Sequence, residues 1–120
     1  MMNLEEIRTY CLSKAGTTES FPFDEVTLVF KVKNKMFALL SLDEPHAISL
    51  KCNPEKAIEL REKYPAILPG YHMNKMHWNT LLTDGSLSPK LVEEQINESY
   101  DLIVNSLPKK LKEELKNEIY

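Results

Sequence analysis

Between Val26 and Val32 the apolar spacing of this chain switches from helical to alternating, with Val26, Leu28, Phe30 and Val32 at every second position. Such a run does not fit a helix, where side chains return to one face about every 3.6 residues, but it fits a strand, where they return every two. Asn34-Lys35 then carries a weak turn signal, because Asn tolerates positive φ and Lys does so less readily than Gly. Met36 to Ser41 resumes as a second strand, so the chain is committed to a β-hairpin. With the turn at Asn34-Lys35, Leu28, Phe30 and Val32 share a core face with Phe37 and Leu39. Val29, Lys31 and Lys33 share the opposite face with Met36, Ala38 and Leu40.

The rest of the chain alternates helices with short strands around this hairpin. Asn3-Leu4-Glu5-Glu6 has the form of a capping box, and Leu4, Ile7, Cys11 and Ala15 follow at helical spacing, which predicts a helix over 4–15. A polar, proline-marked connection covers Thr17 to Glu25. Ile48, Leu50 and Cys52 alternate in a third strand, which leads into Asn53-Pro54, an N-cap with proline at the first helical position, and a helix over 54–64. Trp78 to Leu82 reads as a further strand, and Ser88-Pro89 opens a helix over 89–105. A shorter helix after Pro108 carries Leu111, Leu115 and Ile119 at i, i+4 spacing. The expectation is one α+β domain over 1–120, with a mainly antiparallel sheet of four to five strands and helices packed against it in the order α-β-β-β-α-β(β)-α-α.

At 120 residues the chain has room for one hydrophobic core, and 42% apolar with 28% charged residues is an ordinary globular balance. No apolar run approaches the ~20 residues of a membrane helix, and the first residues lack a signal-peptide pattern, so a cytoplasmic location without a membrane partner is expected. Cys11 and Cys52 lie far apart and are expected to stay reduced. The net charge of -3 argues against an indiscriminate nucleic-acid binder, yet the charge is unevenly spread. Residues 31–78 carry eight basic and five acidic side chains, whereas 1–30 carry two and five, and 79–120 carry five and eight.

Pro69-Gly70-Tyr71-His72-Met73-Asn74-Lys75-Met76-His77-Trp78 gathers two of the three histidines and the sole tryptophan. Read as a hairpin about Asn74-Lys75, it opposes Tyr71 to Trp78 and His72 to His77, with Gly70 facing Asn79. Tyr71 and Trp78 are expected to bury against the C-terminal helix. Two imidazoles fall short of the three or four ligands that a zinc site needs, so no metal and no cofactor is expected. Nothing supplies a nucleophile elbow, a phosphate-binding glycine loop or a dinucleotide fingerprint, and an enzymatic role is not expected. Arg61 falls on the apolar side of its helix, where its guanidinium needs an anion, a carbonyl or an aromatic face.

Lysines for phosphates and polar hairpin tips for grooves make DNA the leading partner, bound weakly by a monomer. The residues proposed to make that contact are Lys31, Lys33, Lys35, Lys51, Arg61, His72, Asn74, Lys75, His77 and Trp78. A protein- or small-ligand-binding adaptor without catalytic activity is the alternative.

The chain resembles the MmcQ/YjbR-like family. The likeness rests on Phe21-Pro22-Phe23, on Val29-Phe30-Lys31-Val32 with Lys35-Met36-Phe37-Ala38, on Leu50-Lys51-Cys52-Asn53-Pro54, on Leu60-Arg61, and on Pro69 to Lys75 with His77-Trp78. The resemblance implies a small cytoplasmic α+β domain, and a DNA-binding label that the family carries because its fold resembles a double-wing arrangement. The two Asn-Lys hairpins are the natural candidates for the wings. Phe23-Asp24-Glu25 departs from the family pattern, which often has glycine after the second Phe.

Overall fold

The computed structural model describes residues 2–70 and 73–117. Helix α1 (Leu4–Leu12) starts with the expected capping box, in which the Asn3 side chain accepts from the Glu6 N–H and the Glu6 carboxylate accepts from the Asn3 N–H. Strands β1 (Thr17–Ser20), β2 (Thr27–Val32), β3 (Lys35–Ser41) and β4 (Ala47–Lys51) follow. Helix α2 (Pro54–Lys63) leads to β5 (Ile67–Pro69) and β6 (Trp78–Leu82), and the chain closes with α3 (Pro89–Asn105) and α4 (Lys109–Asn117). Asn53 and Ser88 cap α2 and α3 through their side chains, each ahead of a proline.

The strands form one antiparallel sheet in the order β1-β2-β3-β4-β6-β5. The fold class is the expected one, with six strands in place of four to five. The extra edge strand β1 occupies part of the segment read as a connection. Its Thr-Thr-Glu-Ser sequence has no apolar residue to reveal an alternation, and it is held by pairing with β2 and by Arg8 of α1, whose guanidinium grips the Glu19 carboxylate at 2.6–3.1 Å.

The first hairpin turns one residue earlier than expected. Lys33 and Asn34 take the left-handed conformation (φ 49° and 65°), which matches the twist of a two-residue hairpin. Val32 then pairs with Lys35 and Lys31 with Met36, but Phe30 pairs with Ala38. Phe37 is therefore an extra, bulged residue on β3. The bulge turns both Phe37 and Ala38 towards the helices and sends Leu39 to the outer face with Val29, reversing the expected places of Ala38, Leu39 and Leu40.

All four helices contribute to one core on a single face of the sheet. Ile7 and Cys11 of α1, Ala57 and Leu60 of α2, Ile96 and Ile103 of α3, and Leu115 of α4 pack with Phe30, Phe37, Leu40, Ile48 and Leu50. Each large side chain buried there contributes about 1.5–3 kcal/mol. The Phe37 ring meets Tyr100 of α3 edge-on, with centroids 5.3 Å apart.

A buried serine joins this layer to the sheet. Phe37 and Lys51 would form the next pair of the β3–β4 ladder beyond Ala38–Leu50. The Ser99 hydroxyl stands between them instead, accepting from the Lys51 N–H at 2.9 Å and donating to the Phe37 carbonyl at 2.5 Å. Removing that hydroxyl strands one buried backbone donor and one acceptor. Ser99→Ala is expected to lower unfolding free energy by about 2 kcal/mol or more, measured as a shifted urea midpoint at unchanged slope.

Candidate nucleic-acid interface

Because neighbouring strands are antiparallel, the connections sort strictly between the two ends of the sheet. One end gathers residues 13–16, 33–34, 52–53, 70 and 73–77. The other gathers 21–26, 42–46, 64–66 and 83–88. The first set contains Lys14, Lys33 and Lys75 and no carboxylate, and Lys31, Lys35 and Lys51 lie on the strands beside it. The second set contains Asp24, Glu25, Asp43, Glu44 and Asp84 and neither Lys nor Arg. The only carboxylate within the strands, Glu19, points to the helix side, so the outer face of the sheet carries Lys31 and Lys51 and no acid. A chain of net charge -3 is thus electrically polarised along its strands.

The structure places the proposed contact residues unequally. Lys35, Asn74 and Lys75 are exposed at hairpin tips of the basic end, and Lys31, Lys33, Lys51 and His77 are half-buried there. Lys33 reaches Glu114 of α4 at 3.5 Å. No carboxylate lies within ion-pair distance of Lys31, Lys35, Lys51 or Lys75 among the described residues. Lys56, at the start of α2, is paired with Glu98 of α3, and this bond holds its ammonium pKa above the ordinary lysine value.

Arg61 stands apart from the lysines. Its Nε donates back to the Ala57 carbonyl at 3.2 Å, the same oxygen that accepts from the buried Asn79 Nδ2 at 3.3 Å. A guanidinium on the apolar side of α2 thereby finds a carbonyl, one of the three partners its position demanded. The Asn79 Oδ1 has no hydrogen-bond partner among the described residues.

The 70–77 segment is not a two-residue hairpin. Pro69 pairs with Asn79, and the Gly70 N–H donates to the Trp78 carbonyl at 2.8 Å, one residue out of the expected register. A one-residue slip exchanges the two faces of a strand. Trp78 is buried as expected, but on the outer face beside Lys51, away from the C-terminal helix. The turn proper spans 74–77, where the His77 N–H donates to the Asn74 carbonyl and the Asn74 Oδ1 accepts from the Met76 N–H. Tyr71 and His72 lie outside the described residues, and so does the expected opposition of His72 to His77.

No three His, Cys, Asp or Glu side chains gather to hold a metal ion among the described residues. Both cysteines are free and buried, and burial raises both thiols, Cys11 to about 12. No helix among the described residues is long and apolar enough to cross a membrane.

A small α+β domain with one antiparallel sheet, all its helices on one face and a lysine-rich end is the class that fold and surface define. The sequence profile of the YjbR family matches residues 12–102, and the chain belongs to that family. The uncharacterised protein YjbR of Escherichia coli K12 is 35% identical over 108 residues, covering 89% of this chain and 92% of the relative. The uncharacterised protein YbdF of Escherichia coli O157:H7 is 40% identical over 91 residues, 75% of each chain. Protein DR2400 of Deinococcus radiodurans, of domain family DUF419, has a crystal structure that superposes with a TM-score of 0.91 at 39% identity, covering 97% of this chain and 89% of that one.

Two outcomes follow from this geometry. A Cβ on Gly70 would lie 2.7 Å from the Trp78 Cβ and 2.8 Å from its carbonyl oxygen. Gly70→Ala is therefore expected to force β5 and β6 apart and cost about 1–3 kcal/mol in a urea titration. Because the thiolate is the reactive form, neither cysteine should be alkylated by iodoacetamide in the native protein at pH ~8, while both should react once the chain is unfolded.

Proposed function

We propose that the basic end of the sheet binds duplex DNA through its phosphates. The observation that carries this reading is the segregation of charge: the lysines collected at one end face no carboxylate of the sheet connections, although the chain as a whole is acidic. Lys35, which opens β3 beside the first hairpin turn, and Lys75 at the second turn project from separate hairpins, and Lys31 and Lys51 extend the surface onto the outer face. Spaced cations on two projecting tips suit two stretches of backbone phosphate, with Asn34 and Asn74 able to reach a groove edge.

The disposition of rings favours duplex over single strand. Single-strand binders stack bases on exposed aromatic side chains. Trp78 is 8% exposed, Phe37 is buried, and Tyr10 and Tyr100 near this end are half-buried. The role is binding, with no catalytic group assigned.

With three to five phosphate contacts, log K should fall against log salt with a slope of about -3 to -4. Fluorescence anisotropy of labelled duplex DNA at ~50 mM salt, repeated at higher salt, measures that slope. Lys35→Glu with Lys75→Glu should abolish binding without unfolding the protein, since both side chains are exposed and neither pairs with a carboxylate among the described residues. Lys33 is unsuited to the test because its reversal would also repel Glu114. No binding at tens of micromolar protein, or tighter binding to a single strand of equal length, would refute the reading.

A further inference from the structure

The Phe21-Pro22-Phe23 motif plays no part in the DNA reading, and its position is unusual. Phe21 and Phe23 are 49% and 65% exposed, at the acidic end of the sheet. Two neighbouring phenyl rings left half in water forgo up to about twice the stabilisation of burying one leucine, and their adjacency marks a contact surface. Asp24 and Glu25 follow directly, and Asp43, Glu44 and Asp84 project from the neighbouring connections, all exposed. The opposite end has the complementary make-up: Met76 is 63% exposed at the tip that carries Lys75, with Lys35 on the β2–β3 hairpin at the same end, across β4 from it.

We infer that the acidic end of one copy, centred on Phe21 and Phe23, docks on the basic end of a second copy around Lys35, Lys75 and Met76. At each end the exposed apolar side chains stand among sheet connections that carry charge of a single sign, and the signs are opposite. A thioether is a good partner for an aromatic ring, so Met76 can receive the phenyl groups. The two surfaces lie at opposite ends of the same strands, so the contact is head-to-tail and leaves a free acidic and a free basic end on every assembly. It uses lysines that the DNA reading also uses, but does not depend on that reading. If both hold, DNA and a second copy compete, and self-association masks the binding end at high protein concentration.

Two end-blocked variants test this. The first carries Phe21→Ser, Phe23→Ser, Asp24→Asn and Glu25→Gln; Asn at position 24 keeps an oxygen for the Val26 and Thr27 N–H groups that Asp24 now accepts. The second carries Lys35→Ala, Lys75→Ala and Met76→Ser. In sedimentation velocity at ~50 mM salt, the wild-type coefficient should rise between ~10 μM and ~1 mM protein, and the rise should vanish at ~500 mM salt. Each variant alone should remain a monomer. An equimolar mixture should form a species of two chains and nothing larger, because each contributes the one end that the other lacks.

Circular dichroism confirms that the variants are folded, and Phe23→Ser alone should weaken the wild-type rise if the fourfold variant is not. A wild-type coefficient that stays constant over this range, a mixture that stays monomeric, or a rise insensitive to salt would each overturn the proposal. The first variant should also bind duplex DNA with the wild-type salt slope. Absence of DNA binding in every form would refute the DNA reading and leave the sedimentation result standing.

Discussion

The bulge at Phe37 is the constraint on which the rest of the molecule depends. An extra residue in β3 turns two consecutive side chains, Phe37 and Ala38, into the core, and it directs the Phe37 carbonyl to α3. Ser99 answers that carbonyl and, through the same hydroxyl, the N–H of Lys51. The longest helix is thus fixed to the two central strands by a replacement for a ladder hydrogen bond, and that replacement lies at the basic end. Tyr100, next along α3, stacks edge-on against Phe37 and donates to the Ala15 carbonyl, which ties the α1–β1 connection to the same point. The lysine-bearing connections are held together because the core beneath them closes around this one irregularity.

Much of the fold is legible in the sequence because caps and periodicity are local. Asn3, Asn53 and Ser88 announced three helix starts, and Trp78 to Leu82 appears as the strand its pattern implied. The errors occur where the deciding interaction is remote. Nothing in Thr17-Thr18-Glu19-Ser20 marks a strand until Arg8 and β2 are beside it. The β3 register depends on a bulge that the spacing of Phe37, Leu39 and Ser41 conceals, because a bulge leaves each half of the strand alternating normally. At 69–78, taking Asn74-Lys75 as the centre of the turn displaced the pairing by one residue and moved Trp78 to the wrong face.

The candidate site was legible in outline for a similar reason. A count along the chain finds a basic middle segment, but Asp43 and Glu44 fall inside it and Lys14 outside it. Only the alternation of strand direction shows that those two acids belong to the far end and that lysine to the near one. Arg61 also lies within the basic segment, and its Nε donates to the Ala57 carbonyl of its own helix, the oxygen that also accepts from Asn79 Nδ2.

The two lateral edges of the sheet have consequences for how this protein behaves in a crowded solution. An unprotected edge strand is a template for another chain, and both edges here are blunted. β5 is three residues long and ends in Pro69, which has no N–H to offer. β1 is four residues long, with a charged Glu19 turned inward and clamped by Arg8. Growth of the folded domain by strand addition is therefore disfavoured at both lateral edges, on the same molecule that leaves a pair of phenyl rings exposed at one strand end. Edge-to-edge pairing of two sheets is thereby disfavoured at both sides of the domain.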